Sequence, residues 1–98
     1  MEEYFCDKLS DFGKVKIKKM FGVTAVYMNG KMAGICSNGQ CFIKSDKTTE
    51  NVFINGGSEK FGYVKKDGTM IYMNYWLVHE DLLEDKEILS AIVRPFVI

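Results

Sequence analysis

The sequence contains one histidine, one proline and three cysteines with no Cys-x-x-Cys pair, and its charges cancel. Each shortage excludes something. With thirteen Lys and Arg against thirteen Asp and Glu, no net field draws the chain to nucleic acid or to an anionic membrane, so any charge argument is local. A single histidine, His79, with no Gly-x-Ser-x-Gly and no phosphate-binding glycine loop, leaves no catalytic constellation around it; it reads as a residue at a helix entrance. An odd set of cysteines does not suit a secreted disulfide framework and fits a reducing cytoplasm. Cys6, Cys36 and Cys41 with His79 lack the spacing of a zinc site, so no metal and no cofactor is expected. No apolar run approaches the roughly 18 residues of a membrane span. The opening MEEYFCDKLSDF begins with acids, with no basic region followed by an apolar stretch, so no secretory signal is expected.

Apolar residues make up 47% of the 98 and aromatics 13%, enough for one core and against disorder. One domain over residues 1–98 is the reading. Tyr4, Phe5, Leu9 and Phe12 recur at helical spacing before Gly13, which predicts a first amphipathic helix to about Phe12. A basic segment of period two, Lys14 to Lys19, leads into Met20-Phe21-Gly22. Asn29-Gly30 and Asn38-Gly39 tolerate the positive φ of type I′ turns and predict a meander of Val23–Met28, Lys31–Ser37 and Gln40–Lys44. Asp46 is placed to cap a short helix to about Asn55, stopped by Gly56-Gly57. A second hairpin, Phe61–Lys66 and Thr69–Trp76, closes at Asp67-Gly68. A last helix from Glu80 to Val93 is stopped by Pro95. The expected fold is a two-layer α+β domain in αβββαββα order, an antiparallel sheet of about five strands with helices packed on one face.

Three local features stand out. A two-residue loop at Asn38-Gly39 sets Cys36 opposite Cys41 as a non-hydrogen-bonded pair, close enough to oxidise, with free thiols the default in a reducing compartment. Lys14, Lys16, Lys18 and Lys19 put four positive charges in six residues, either a solvated edge that discourages aggregation or a contact for phosphates. Pairing across Asp67-Gly68 puts Phe61, Tyr63, Met70, Tyr72 and Trp76 on one side of the second hairpin and Val64, Ile71, Met73 and Tyr75 on the other. Both sides are apolar, where a sheet covered on one face reads polar on the other. Tyr63, Met70, Tyr72, Met73, Tyr75 and Trp76 are therefore the candidate interface. The basic Lys14–Lys19 segment and the acidic Glu80–Glu87 segment are complementary, within one molecule or between two.

Lys19-Met20-Phe21-Gly22, Tyr27 to Met32 with its Asn-Gly turn, Lys44 and Asp46, Gly57-Ser58, Phe61, Tyr63, and Met73 to Trp76 followed by Leu82-Leu83-Glu84-Asp85 form an ordered series. The series resembles the amino-terminal domain of the TfoX/Sxy family, bacterial regulators of DNA-uptake competence, over nearly the whole chain. The resemblance implies a small α+β fold, a regulatory role and no catalytic residues. Two departures are a carboxy-terminal helical domain, usual in full-length members and missing from this sequence, and His79 where many members have proline.

The expectation is a non-enzymatic, cytoplasmic regulatory module that works through protein contacts in a transcription-regulatory system and forms a homodimer. One alternative is a nucleic-acid-binding accessory using Lys14, Lys16, Lys18 and Lys19. The other, a small-molecule-binding or enzymatic domain, requires a concave pocket with converging polar groups.

Overall fold

The computed structural model describes residues 1–20 and 22–97, so Phe21 of the quoted series lies outside the described residues. The elements are α1 (Glu2–Ser10), β1 (Val15–Met20), β2 (Val23–Met28), β3 (Lys31–Ser37), β4 (Gln40–Lys44), α2 (Glu50–Asn55), β5 (Lys60–Val64), β6 (Met70–Leu77), α3 (Glu80–Glu84) and α4 (Lys86–Val97). The fold is α+β. All strands join one antiparallel sheet in the order β1-β2-β3-β4-β6-β5, which leaves β1 and β5 at its edges. The sheet has six strands rather than about five, because the lysine-rich segment is itself a strand. Val15 and Ile17 pair with Met28 and Val26 and share their side of the sheet, while Lys16 and Lys18 take the other.

The core lies between that side and the helices. Phe5 and Leu9 of α1, Phe53 of α2, Leu83 of α3 and the Leu89, Ile92, Val93 and Phe96 stripe of α4 pack on Val26, Met28, Cys36, Cys41, Ile43 and Trp76. Phe5 is seated by a glycine. A Cβ on Gly34 would lie 2.8 Å from the Phe5 ring and 3.0 Å from the Phe42 carbonyl, so α1 approaches β3 as closely as it does only because that atom is missing. The opposite side, free of helices, has its own apolar cluster of Ile35, Phe42 and Tyr75, flanked by Val23, Met32, Phe61, Met73 and Leu77.

Asn29-Gly30 and Asn38-Gly39 have positive φ at both residues and form type I′ turns, as the sequence predicts. Three other expectations are corrected. Asp46 does not cap α2. Its carboxylate accepts the Thr48 N–H at 2.9 Å, closing a local turn, and the helix begins at Glu50 after Thr49. The last helix is two: Asp85 takes an extended conformation, and its Oδ1 accepts the Ile88 N–H at 3.2 Å as the cap of α4. Pro95 lies inside α4 rather than ending it. The helix continues past it because Phe96 is buried in the core and because Asn29 Nδ2 and Lys31 Nζ donate to the carbonyls of Phe96 and Pro95.

Candidate interaction surface

The β5–β6 ribbon carries the largest exposed apolar side chains away from the helices. Tyr63 is 47% exposed, Val64 63%, Met70 47% and Tyr72 64%. Its turn is not the two-residue loop expected at Asp67-Gly68. The Gly68 N–H bonds the Lys65 carbonyl at 3.0 Å and the Lys65 N–H bonds that of Thr69 at 2.8 Å, so three residues form the loop, with Gly68 at φ 89°. The Asp67 carboxylate accepts the Thr69 N–H at 2.9 Å, which holds its acid below the usual range.

That one extra residue changes the faces. Val64 pairs with Met70, Tyr63 with Ile71 and Gly62 with Tyr72. Tyr63 and Phe61 therefore fall with Ile71, Met73 and Tyr75, and Val64 with Met70 and Tyr72, the reverse of the expected β5 assignment. A Cβ on Gly62 would meet the Tyr72 ring at 3.0 Å, so the tyrosine lies flat across the glycine. Met70 and Tyr72 line, with Phe42, Glu59, Lys60, Phe61 and Gly62, a groove of about 530 Å³ along β5. The rings of Phe42 and Phe61 meet edge to face at 5.2 Å, and both line it.

The other candidate residues sit deeper. Met73 is half-buried against the helix-free cluster, and Tyr75 is buried within it, where desolvation pushes its phenol up. Trp76 belongs to the helix-side core: its ring stacks on Phe53 at 5.7 Å, and its Nε1 donates to Asn74 Oδ1 at 3.1 Å. Lys60 Nζ lies over the Trp76 ring, 5.1 Å from its centroid. Tyr75 and Trp76 thus contribute to the surface only through the neighbours they support.

Lys14, Lys16, Lys18 and Lys19 are all exposed along the β1 edge. Lys16 and Lys18 pair with Tyr27 and Ala25 on the helix-free side, and Lys19 turns to the helix side with Thr24. The acidic Glu80–Glu87 segment forms α3 and the start of α4, where Glu84 Oε2 accepts the Tyr4 hydroxyl at 3.0 Å. His79 is exposed at the start of α3. Among the described residues no three His, Cys, Asp or Glu side chains gather as a metal site, and no helix is long and apolar enough to cross a membrane.

A second concavity, of about 330 Å³, opens beside the end of α4 among Lys31, Met32, Lys44, Ser45, Asp46 and Phe96. Most of its polar groups are already engaged: Lys31 with the Pro95 carbonyl, Asp46 with Thr48 and Thr49, and the Ser45 hydroxyl with that of Thr49 at 2.7 Å. Sequence reasoning missed this cluster and the β5 groove. Asp46 followed by Thr48 and Thr49 was a readable signal for the first; for the second there was none, because it depends on the ribbon register.

A search of curated proteins gives no match. The family model of the TfoX N-terminal domain, a regulatory domain, matches residues 7–95. The match takes in every strand, α2 and α3, the end of α1 and most of α4, and the chain belongs to the TfoX N-terminal domain family.

Proposed function

We propose that the chain is a non-enzymatic regulatory module of the cytoplasm that acts in a TfoX/Sxy-type transcription-regulatory system by binding protein, and that a second copy of itself is one such partner. One observation carries the reading, the contrast between the two sheet edges. At β1, exposed lysines on both faces oppose the approach of another strand. At β5 the one lysine, Lys60, stands at the start of the strand with its Nζ 5.1 Å from the Trp76 ring, and the rest of the edge offers Tyr63 and Val64 beside a groove lined by Met70 and Tyr72. An edge free of lysine from Phe61 to Val64, next to side-chain pockets, suits strand addition, in which main-chain bonds give affinity and pockets give specificity. Two copies meeting edge to edge at β5 continue each sheet across a symmetric contact.

Light scattering over a concentration series tests this: a dimer is expected. The Lys65 N–H points inward to Thr69, so alternation turns the Val64 N–H outward. Val64→Pro removes that outward donor without touching the β5–β6 ladder and should give a folded monomer. Wild-type protein that stays monomeric at high concentration, or a Val64→Pro variant that dimerises as well as wild type, defeats the proposal. Salt-dependent binding to nucleic acid that is lost on reversing the lysine charges favours the β1 edge as the working surface instead.

A further inference from the structure

The β3–β4 hairpin turns at Asn38-Gly39, so Ser37 and Gln40 form the pair next to the loop and Cys36 faces Cys41 as the following, non-hydrogen-bonded pair. The outward direction of the Cys41 main chain agrees, since its carbonyl accepts the Val78 N–H of the neighbouring segment at 2.9 Å. Such pairs hold their Cα atoms about 4.5 Å apart, within the roughly 4.4–6.8 Å that disulfides span. Both side chains point to the helix side, into the core beneath α1, and their Sγ atoms lie 2.7 Å apart. Two small apolar residues would fill this space equally well. Two thiols placed sulfur to sulfur at one rung of a ladder add a chemistry that packing does not require.

We propose that Cys36 and Cys41 form a reversible dithiol–disulfide site oxidised by a small peroxide, with hydrogen peroxide as the reagent that fits a buried pair. The sulfur-to-sulfur contact is open to attack by either thiol, and in the step that follows Cys41 is the attacking sulfur. Either thiol can donate in the contact between them; with Cys36 as donor, the Cys41 thiol lies below its usual range against the opposing effect of burial, and the same contact drives Cys36 up. The Cys41 thiolate attacks one peroxide oxygen and the O–O bond breaks. The departing hydroxide takes up the proton that Cys41 released, giving water and a Cys41 sulfenic acid. The Cys36 sulfur then attacks Cys41 Sγ, the S–O bond breaks, and the hydroxyl leaves with the Cys36 proton as a second water. Two thiols have lost two hydrogens, and one peroxide has become two waters. A dithiol reductant reverses the step by exchange.

Access is through α1. This helix has nine residues and covers the pair through Phe5 and Leu9, so peroxide reaches the sulfurs when it opens locally. Cys6 on α1 is the control thiol. Burial first, and then the charge of Glu2, push it up to about 11, so it is a poor nucleophile.

The test treats reduced full-length chain with hydrogen peroxide, alkylates the remaining thiols in denaturant, and reads intact and peptide masses. The expected product is a monomeric chain lighter by two hydrogens before alkylation, with one alkyl group, on Cys6. The bridge should lie within the single tryptic peptide Met32–Lys44, and dithiothreitol should restore all three alkylation sites. Cys36→Ala should abolish the loss of two hydrogens and leave a sulfenic acid on Cys41 that dimedone traps, while Cys6→Ala should oxidise as wild type does. Three alkylated cysteines after peroxide, a bridge involving Cys6, or a bridge only between chains overturns the proposal. The wild-type peptide map decides these points even where a substituted chain fails to fold.

Discussion

The side-chain amide of Asn29 donates to the main-chain carbonyl of Phe96 at 2.9 Å, fastening the β2–β3 turn to the last turn of α4. The other end of the same amide accepts the Lys14 N–H at 3.2 Å, at the start of β1. Asn29 is therefore a turn residue, a helix cap and a strand anchor at once, and it holds φ at 52° while doing so.

These roles separate by substitution. Asn29→Ala loses both side-chain bonds, each worth about 1 kcal/mol net, and forces a Cβ-bearing residue without a polar tip into the left-handed region at a further cost of about 1 kcal/mol. Urea unfolding should show a loss of about 2–3 kcal/mol. Asn29→Gly loses the bonds but not the backbone fit and should cost about 1 kcal/mol less than alanine does. Equal losses for the two variants would mean that the backbone angle contributes nothing.

The same residue explains part of what the sequence could and could not reveal. Asn29-Gly30 and Asn38-Gly39 were legible because a type I′ turn is a local demand that few dipeptides satisfy. Pro95 was misread because the local rule, no N–H and a clash one turn back, is outweighed by contacts from a segment more than sixty residues away. Asp85 resembles any acid in an acidic run until Ile88 shows which N–H it caps. The ribbon faces turned on a single loop residue: Asp-Gly closes both two- and three-residue loops, and only the Gly68 and Lys65 bonds distinguish them. The candidate surface was visible as an excess of large apolar residues, but which of them reach solvent was not. Tyr75 and Trp76 look like Tyr72 in sequence and are buried by β4, α2 and the ribbon bulge.

Gly34 offers a second test, of how tightly α1 is seated. Gly34→Ala places a methyl 2.8 Å from the Phe5 ring, so the helix or the ring must move, and overpacking of this kind costs about 1–3 kcal/mol. Phe5→Leu shortens the opposing side chain and is itself destabilising. The double variant should lose clearly less than the sum of the two single losses, because one change makes room for the other. Strict additivity in a thermal or urea series would show that the added methyl and the Phe5 ring do not compete for space.

Acid should weaken the α2 approach through Asp46. Its carboxyl is held below the ordinary 3.8 chiefly by the Thr48 hydroxyl, with the Thr48 N–H and Thr49 adding to the effect. A depressed folded-state value means that the native chain holds the charged form more tightly than the unfolded chain does. The contribution is complete above the unfolded value and disappears as pH falls from there through the folded one. Asp46→Asn should flatten this part of the stability profile between neutral pH and strong acid, while leaving the Asp67 part in place. Unfolding midpoints at a series of pH values measure it, and identical profiles for the two chains would remove Asp46 from the account.

The lysines of β1 make the sharpest contrast with β5, and they can be tested without any partner. Lys14→Glu with Lys16→Glu reverses charge at exposed positions and should leave fold and stability within about 0.5 kcal/mol of wild type, since isolated surface charges contribute little. Lys16→Val with Lys18→Val is a different change. Both lysines lie on the helix-free side of an edge strand whose other face already exposes Ile17 at 51%, so the double valine leaves Lys19 as the one lysine of β1 and its helix-free face open to another strand. That variant should fold, as β-branched residues suit a strand, yet associate beyond the dimer as concentration rises, because each chain then has two receptive edges. Adding Val64→Pro should leave dimers joined at β1 alone. Monodisperse Lys16→Val/Lys18→Val protein of wild-type mass at every concentration would show that the lysines are not what protects this edge.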